Sequence, residues 1–337
     1  MKAAIFKNPY NIEVAEVEMP EIGPEEVLIK VVACGICGSD MQMFRTNTHR
    51  EVLCRKTEDN LEVPGHEFSG VIEQIGSSVH DFKVGDRVVG VGMGGFAEYV
   101  PVPVNPFQLA KIPDSVSFEE AATTEPLADG LQMVRKANPG TGENVVVYGV
   151  GIIGLGVVQA LQTVGVELGN IVAIDVSETR LAKAAELGAK TVNALSGDVI
   201  ELVREICGSA PLDWPNINPP AVDVVIDCAG FIKTMKGPPP LQNALDMLKG
   251  GGVGRIICFG AYEGAFPIGF MPVIQKELLI LGSEGYASDE LVRALELMQE
   301  NSVDRASLVT HRFDLSDVAE AFETQGSQEA IKVMVTP

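Results

Sequence analysis

The pattern of apolar and polar positions changes character about a third of the way along the chain. Up to about residue 125, short apolar runs alternate with turns rich in Gly and Pro, as at 26–32, 68–75, 86–91 and 96–100. Short apolar runs bounded by such turn residues are typical of β-strands. We therefore expect an irregular, barrel-like all-β module in the first part of the chain.

From Asn144 onward, strands and helices alternate. The segment 144–148 predicts a strand and 153–163 a helix, and a further strand at 171–174 is followed by a helix between Ser177 and Gly188. Alternation of this kind requires parallel strands joined by crossover helices. The predicted fold class is α/β, with a doubly wound parallel sheet added to the β module.

The change of pattern predicts two domains. The alternation loosens after about residue 263, and the tail holds isolated elements, among them an apolar strand at 277–281. We expect residues 1–125 and 264–337 to form one domain and residues 126–263 the other. A chain of 337 residues exceeds the size at which a single core usually divides, which agrees with this expectation.

Charge and composition exclude several classes of protein. The net charge of -21, from 46 acidic and 25 basic residues, argues against a nucleic-acid partner, because phosphate backbones are bound by clustered Lys and Arg. No apolar run approaches the roughly 18 residues of a membrane span, and the N-terminus does not resemble a signal peptide. We expect a soluble, cytoplasmic protein without a membrane partner. The six scattered cysteines do not form a secreted disulfide pattern, so reduced thiols are expected.

A glycine-rich loop predicts a dinucleotide cofactor. The motif Gly-x-Gly-x-x-Gly directly follows an apolar strand and opens an apolar helix, which is the setting in which it binds a pyrophosphate. An acid is expected about 20 residues later to bind the ribose hydroxyls and repel a 2′-phosphate. Asp175 stands there, so NAD is favoured over NADP, although Asp175 could also simply end a strand. The predicted cofactor-binding residues are Gly149, Val150, Gly151, Ile152, Ile153, Gly154, Asp175 and Arg180.

Four residues could share one metal ion: Cys37, His66, Glu67 and Glu125. Zinc held by thiolate, imidazole and carboxylate keeps a position open for water or substrate, whereas structural zinc is usually closed by four protein ligands. Each residue alone has a structural explanation, as a small hydrophobe, a polar turn or a surface acid. The pair Cys34 and Cys37 could also be a redox dithiol. The combined pattern favours a metal, since the chain has only four histidines.

An ordered set of motifs then resembles a known family. It consists of Gly35-Ile-Cys-Gly-Ser-Asp40, Gly65-His-Glu-Phe-Ser-Gly70, Gly85-Asp-Arg-Val88, Gly95-Phe-Ala-Glu-Tyr99 and the loop Gly149 to Gly154. This order is similar to that of the zinc-dependent medium-chain alcohol dehydrogenases. Glu67 and Glu125 make the chain resemble most closely the polyol (sorbitol), threonine and 2,3-butanediol dehydrogenase branch.

The resemblance implies a fold, a reaction and roles for residues. It implies a Rossmann domain with a GroES-like catalytic domain, and reversible oxidation of a secondary alcohol, such as a polyol, sugar alcohol or diol, to a ketone by NAD. Cys37, His66 and one or both of Glu67 and Glu125 would bind one catalytic Zn²⁺, while Ser39 and Glu67 are the predicted catalytic residues. A small-molecule alcohol or ketone is the expected partner. Relatives pair edge strands of the nucleotide domain, so a homodimer or homotetramer is expected, and the apolar segment 277–281 is a plausible edge.

Two departures from the family pattern affect the prediction. Relatives usually carry a lobe with four cysteines after the Gly-Asp-Arg-Val segment, and this chain has none there, so we expect no structural zinc. Gln42 stands where relatives often have a histidine that continues the proton relay from the serine at position 39. Three alternatives stay open: a threonine 3-dehydrogenase-like enzyme, a zinc-free quinone or enoyl reductase, and a non-catalytic dinucleotide sensor.

The segment 46–62 matches none of these motifs. It lies between two motifs that contain predicted metal ligands, and it contains Cys54 and several charged residues. Two interpretations are open for it, a wall of the substrate entrance or an exposed loop.

Overall fold

The computed structural model describes residues 1–233, 235 and 237–337. It divides into two compact units. The first unit comprises Met1–Ala128 and Tyr286–Pro337, and the second comprises Asp129–Gly285.

The N-terminal segment of the first unit consists of short strands and helices. In chain order they are β1 (Lys2–Asn8), β2 (Asn11–Glu16), β3 (Glu26–Gly35), α1 (Gly38–Thr46), α2 (Arg50–Leu53), β4 (Arg55–Lys56), β5 (Glu62–Val63), β6 (Glu67–Ile75), β7 (Arg87–Val91), β8 (Tyr99–Pro103), β9 (Leu109–Lys111), α3 (Phe118–Ala121) and α4 (Thr124–Ala137). The last of these helices, α4, contains the boundary between the units. Long β3 pairs with both β6 and β8, so it is central to this unit.

The second unit alternates strands and helices, as the sequence predicts. Its elements are β10 (Val145–Tyr148), α5 (Ile152–Leu161), β11 (Ile171–Asp175), α6 (Glu178–Glu186), β12 (Lys190–Asn193), α7 (Val199–Cys207), β13 (Val224–Asp227), α8 (Pro240–Met247), β14 (Arg255–Cys258), α9 (Met271–Lys276) and β15 (Leu279–Gly282). The sheet order is β12-β11-β10-β13-β14-β15, and every pairing is parallel. The strand order reverses beside β10, and ligands of open α/β sheets bind at such switch points.

The C-terminal segment returns to the first unit. It contains α10 (Glu290–Gln299), β16 (Val309–Asp314), α11 (Val318–Gln325) and β17 (Lys332–Thr336). Strand β17 lies between β16 and β3 in a seven-stranded sheet of order β16-β17-β3-β6-β7-β9, with β8 also paired to β3. A tail strand is therefore adjacent to the strand that leads to Cys37, a contact that joins residues almost 300 positions apart.

One expected boundary differs from the structure. The sequence places residues 264–285 in the first domain, but β15 pairs in parallel with β14 and extends the sheet of the second unit. The intervening helix α9 has only six residues and a proline in its first turn. It is too short to show a helical period, so the alternation of strands and helices is not visible in this part of the sequence. None of the described helices is both long and apolar enough to cross a membrane.

Candidate metal centre and cofactor cradle

Each predicted metal ligand stands at the end of a regular element of the first unit. Cys37 is the N-cap of α1, His66 directly precedes β6, and Glu67 is the first residue of that strand. Gly65 turns the chain into His66 with a φ of 96°, and a Cβ at this position would lie 2.7 Å from the ring of Phe96. A glycine is therefore needed to present His66 at this place.

Cys37, His66 and Glu67 form a compact cluster. One ligand atom from each lies within 4.8 Å of the other two. Two atoms bound to one zinc ion at about 2.0–2.3 Å are roughly 3.5 Å apart in a tetrahedron, so small side-chain rotations suffice to bind the ion. Glu125, at the start of α4, is not part of this cluster. Its pKa is nevertheless raised to about 7, by burial and then by the charge of Glu67, which places it within electrostatic range.

Buried polar atoms in and around the cluster lack partners. Among the described residues, Glu67 Oε1, Glu125 Oε2 and His66 Nδ1 have no hydrogen-bond partner. A buried, unpaired carboxylate oxygen costs roughly 1–3 kcal/mol or more, so such atoms require an explanation. A cation that binds the carboxylates supplies one.

The charges of the buried groups lead to the same conclusion. With Cys37 as thiolate, four anionic groups face two buried cations, so one divalent ion balances the set. The groups are Cys37, Asp40, Glu67 and Glu125 against Arg305 and Lys332. In the metal-free protein, burial and the charge of Glu67 raise the pKa of the Cys37 thiol. A bound metal reverses this effect, because a coordinating thiol is deprotonated. The residues present therefore fit a zinc ion.

Asp40 orients two of the ligands. One carboxylate oxygen, Oδ2, accepts a hydrogen bond from the backbone N-H of Cys37 at 3.0 Å, and Oδ1 lies 3.6 Å from His66 Nδ1. Burial lowers the pKa of His66, but Asp40 and Cys37 outweigh it and raise the pKa above its ordinary value. Carboxylates commonly hold the second ring nitrogen of a metal-binding histidine. On the other side of the ring, Ser39 Oγ lies 3.5 Å from His66 Nε2.

Lys332 forms a fully buried ion pair with Glu67. Its ammonium group contacts Glu67 Oε2 and donates to the backbone carbonyl of Ile36 at 2.9 Å. Burial lowers the pKa of Lys332, but the carboxylate of Glu67 outweighs it and raises the pKa. The pair depends on Gly35, because a Cβ there would lie 2.4 Å from Lys332 Cε and 3.1 Å from Glu67 Oε2. Oε2 is thus held by the lysine, while Oε1 is left for a metal.

The glycine loop of the second unit connects β10 to α5. Gly149 has a φ of 83°, and a Cβ there would lie 2.8 Å from Ala229 N. A Cβ on Gly154 would lie 2.0 Å from the carbonyl oxygen of Gly149, so only glycine lets α5 pack this closely. By contrast, the space beside Gly151, the N-cap of α5, is open. Open space at a helix N-terminus fits an incoming pyrophosphate.

Asp175 joins this loop to the turn after β11, because it accepts one backbone hydrogen bond from the loop and two from the residues that follow it. Its Oδ2 accepts from Val150 N at 2.8 Å, and Oδ1 accepts from Val176 N at 2.7 Å and from Ser177 N at 2.9 Å. A carboxylate has about four lone-pair sites, so capacity remains for ribose hydroxyls. Asp175 and Gly149 line a cavity of about 430 Å³ in the second unit, together with Ile174, Leu195 and other mainly apolar residues. Arg180 lies in the first turn of α6 and does not line this cavity.

Several residues of the metal centre are not among the sequence predictions. Asp40 and the fully buried Lys332 contact its ligands, and the buried Arg305 donates to Thr123 and lies within electrostatic range of Glu67. A signal existed for Lys332, since it is the charged residue in the apolar tail strand. Cys34 is buried in the core and, like Cys54, lies outside the metal cluster.

The fold and the site are those of a two-domain dehydrogenase, with a cluster of residues suited to zinc in one unit and a glycine loop in the other. Residues 23–114 match the alcohol dehydrogenase GroES-like domain, and residues 153–300 match the zinc-binding dehydrogenase family. L-idonate 5-dehydrogenase of Vitis vinifera is 33 % identical over 94 % of this chain and 89 % of its own length. Sorbitol dehydrogenase of Bacillus subtilis is 30 % identical, over 100 % of this chain and 97 % of its own.

A solved structure agrees with this assignment. The crystal structure of 2R,3R-butanediol dehydrogenase from Bacillus subtilis superimposes with a TM-score of 0.82 at 30 % identity, covering 100 % of this chain and 99 % of the other. This chain belongs to the zinc-dependent medium-chain alcohol dehydrogenase family, in its polyol dehydrogenase branch. It is therefore an oxidoreductase that uses zinc and NAD.

Proposed function

We propose that this enzyme reversibly oxidises a secondary alcohol of a polyol, sugar alcohol or diol to a ketone, with NAD as the hydride acceptor. The observation that carries the proposal is the compact cluster of Cys37, His66 and Glu67, with buried carboxylate oxygens that have no partner among the described residues. The relatives are named for idonate, sorbitol and butanediol, all of which carry secondary hydroxyl groups.

In this proposal Cys37, His66 and Glu67 hold the zinc ion, and Glu125 stands as a further carboxylate near it. Bound zinc would lower the pKa of the substrate hydroxyl, and NAD would take the hydride from the carbinol carbon. Ser39 is the first acceptor of the hydroxyl proton, a role supported by its position 3.5 Å from His66 Nε2. Gln42 cannot take up a proton, so the proton passes from Ser39 to solvent or to another group.

Asp175 gives the preference for NAD. A carboxylate at the end of β11 accepts hydrogen bonds from ribose hydroxyls and repels a 2′-phosphate. Its contact with Val150 ties this recognition to the glycine loop that binds the pyrophosphate. We assign cofactor binding to the second unit, including β15, and metal binding to the first. The role of Arg180 and a cytoplasmic location stay predictions.

Among the alternatives, the metal cluster weighs against a zinc-free quinone or enoyl reductase, which needs no such ligands. Its intact ligand set also weighs against a sensor that has lost turnover. A threonine 3-dehydrogenase-like activity uses the same centre, so the choice between amino alcohol and polyol depends on the substrate.

Metal analysis and a substrate panel test the proposal together. We expect one zinc per subunit and NAD-dependent oxidation of at least one polyol, diol or L-threonine, with activity lost after chelation and restored by Zn²⁺. Two zinc ions per subunit would contradict the predicted absence of a structural zinc. Turnover that survives complete zinc removal would contradict zinc catalysis.

We further propose a homo-oligomer built on β15. This edge strand has β14 as its neighbour in the described sheet, and Leu279, Ile280 and Leu281 are 52 %, 44 % and 37 % exposed. An apolar edge strand is a ready template for a second copy. Light scattering is expected to give a dimer or tetramer, and Ile280→Lys to shift it towards monomer. A monomeric parent protein would refute this contact.

A further inference from the structure

Arg55 presents an unused hydrogen-bonding edge. It lies in β4, and its Nε and Nη2 atoms are both buried and have no hydrogen-bond partner among the described residues. These two atoms form one side of the guanidinium plane, the fork that matches a carboxylate or a phosphate with two parallel hydrogen bonds. Leaving the whole fork unpaired costs free energy, so a structural role explains the arrangement poorly.

The electrostatic surroundings of Arg55 show the same lack of a partner among the described residues. Burial lowers the pKa of its guanidinium, and no carboxylate contributes to that shift. The neighbouring Arg50, by comparison, pairs with Glu62 and lies over the ring of Phe6 at 5.1 Å. In a chain with 46 acidic and 25 basic residues, a half-buried arginine without an acidic partner is unexpected.

The position of Arg55 is close to the metal centre within the first unit. It pairs with Val63 in β5, three residues before His66, so the Cα atoms of Arg55 and His66 are separated by at most about 16 Å. Its side chain lies across Gly94, where a Cβ would be 2.7 Å from Nε, and Gly94 N donates to the carbonyl of Gly65 at 2.9 Å. The side chain of Arg55 is thus next to Gly94, which is hydrogen-bonded to the residue that precedes His66.

The residue before Arg55 contacts the helix that Cys37 caps, since Cys54 Sγ lies 3.5 Å from Met43 Sδ in α1. The adjacent Cys54 is buried, and its pKa is raised to about 12 by burial and then by the charges of Glu62 and Asp40. Asp40 is also the residue whose carboxylate lies 3.6 Å from His66 Nδ1. The segment 46–62 therefore packs against α1 and is not only an exposed loop.

We propose that the alcohol substrate carries an anionic group, a carboxylate or a phosphate, that binds the fork of Arg55 while a secondary hydroxyl reaches the metal centre. This inference rests on the proposed function and narrows its substrate class to polyol acids or polyol phosphates. Both groups offer the same paired oxygens to a guanidinium, so the test below distinguishes them.

The test compares D-gluconate, D-glucitol 6-phosphate and neutral D-glucitol with zinc-loaded enzyme and NAD. We expect kcat/KM to be higher for one of the anionic compounds, and the more active of the two identifies the group. In Arg55→Gln the ratio of anionic to neutral kcat/KM is expected to fall roughly 10- to 100-fold, because the fork is lost. Arg55→Lys keeps the charge without the fork and is expected to lie between. Arg50→Gln, in the same segment, is expected to keep the parent ratio.

A parent enzyme that prefers the neutral polyol, or an Arg55→Gln variant with an unchanged ratio, would overturn the inference while leaving alcohol oxidation in place. If no alcohol is turned over, the proposed function itself has failed. In that case thermal melts of the zinc-loaded protein still test the role of Arg55. The anionic compounds are expected to raise the Tm of the parent and of Arg50→Gln but not of Arg55→Gln. Equal shifts in both variants, or none in the parent, would refute the role of Arg55.

Discussion

The two units treat their buried carboxylates in opposite ways. In the second unit, both oxygens of Asp175 accept backbone hydrogen bonds, one from the glycine loop and two from the residues that follow Asp175. In the first unit, Glu67 Oε1 and Glu125 Oε2 are buried without a partner among the described residues. The nucleotide cradle is therefore formed by its own backbone, whereas the metal centre is electrostatically incomplete until a divalent cation binds.

The two sites therefore differ in how strongly each depends on its bound ligand for stability. A carboxylate held by backbone N-H groups keeps its position whether or not a ligand is present. In the first unit, burial and then the charge of Glu67 raise the pKa of Glu125, and a bound metal would offset both effects. We therefore expect metal binding to stabilise the first unit more than NAD stabilises the second.

Cys37→Ala is expected to have the largest effect and to separate the two sites. Loss of the thiolate leaves an incomplete ligand set, so zinc content falls and kcat decreases by more than about three orders of magnitude. NADH binding, measured by fluorescence titration, is expected to stay close to that of the parent, because the cradle is formed by its own backbone. Cys34→Ala is the matched control, since Cys34 is a buried cysteine outside the cluster. Full activity in Cys37→Ala would refute the metal centre.

Asp175→Asn is expected to have the opposite effect, because it weakens NAD binding and leaves zinc binding unchanged. An Asn side chain presents an N-H group where a backbone N-H now donates, so the loop is destabilised by about 1–3 kcal/mol. We expect the KM for NAD to rise roughly 10-fold and the preference over NADP to decrease, with zinc content unchanged. Asp198→Asn is the control, because Asp198 lines the same cavity and caps α7, where Asn serves equally well. Equal effects of both substitutions would remove the special role of Asp175.

Gly35→Ala tests whether the ion pair with Lys332 orients the carboxylate of Glu67. The new Cβ displaces the Lys332 ammonium group from Oε2 without removing either charge. Groups that orient a metal ligand commonly contribute 10- to 100-fold to metal affinity, so we expect the Kd for Zn²⁺ to rise about 10-fold, measured by competition with a chelator. Gly38→Ala, a position with open space around it, is expected to leave that Kd unchanged. An unaltered Kd in Gly35→Ala would mean that Lys332 does not orient Glu67.

The two units also differ in how much of each site could be predicted from the sequence. The glycine loop, Asp175 and the parallel strands could be predicted because their contacts are set by neighbouring residues and a regular period. Ligand identities at Cys37, His66 and Glu67 could be proposed from motifs, and the structure brings them together. Lys332 and Arg305 could not be assigned, since they reach the centre through strand order and tail packing. Likewise, the placement of β15 depends on sheet pairing that the short helix α9 conceals.

Two buried lysines, one in each unit, differ in the same way in their partners. The effect expected from this difference, on the pH dependence of stability, is the smallest of those predicted. Lys332 pairs with Glu67 and has a raised pKa, whereas Lys276 donates to the carbonyls of Leu245 and Asp246 and has a pKa lowered to about 8 by burial. Below pH 8 both folded and unfolded chains hold the Lys276 proton, and between about pH 8 and 10.5 only the unfolded chain does. Stability that depends on Lys276 therefore increases with pH in this window.

Lys276→Met is expected to remove this contribution. Chemical denaturation at pH 7.5 and pH 10 measures the free energy of unfolding of parent and variant, and the difference between them is expected to change by on the order of 1 kcal/mol. Lys190→Met serves as the control, because Lys190 is exposed in β12. Among the described residues Lys276 has no ion-pair partner, and its removal is therefore expected to alter the pH dependence near pH 9. An identical pH dependence in both variants would show that the two carbonyls keep the pKa of Lys276 from being lowered.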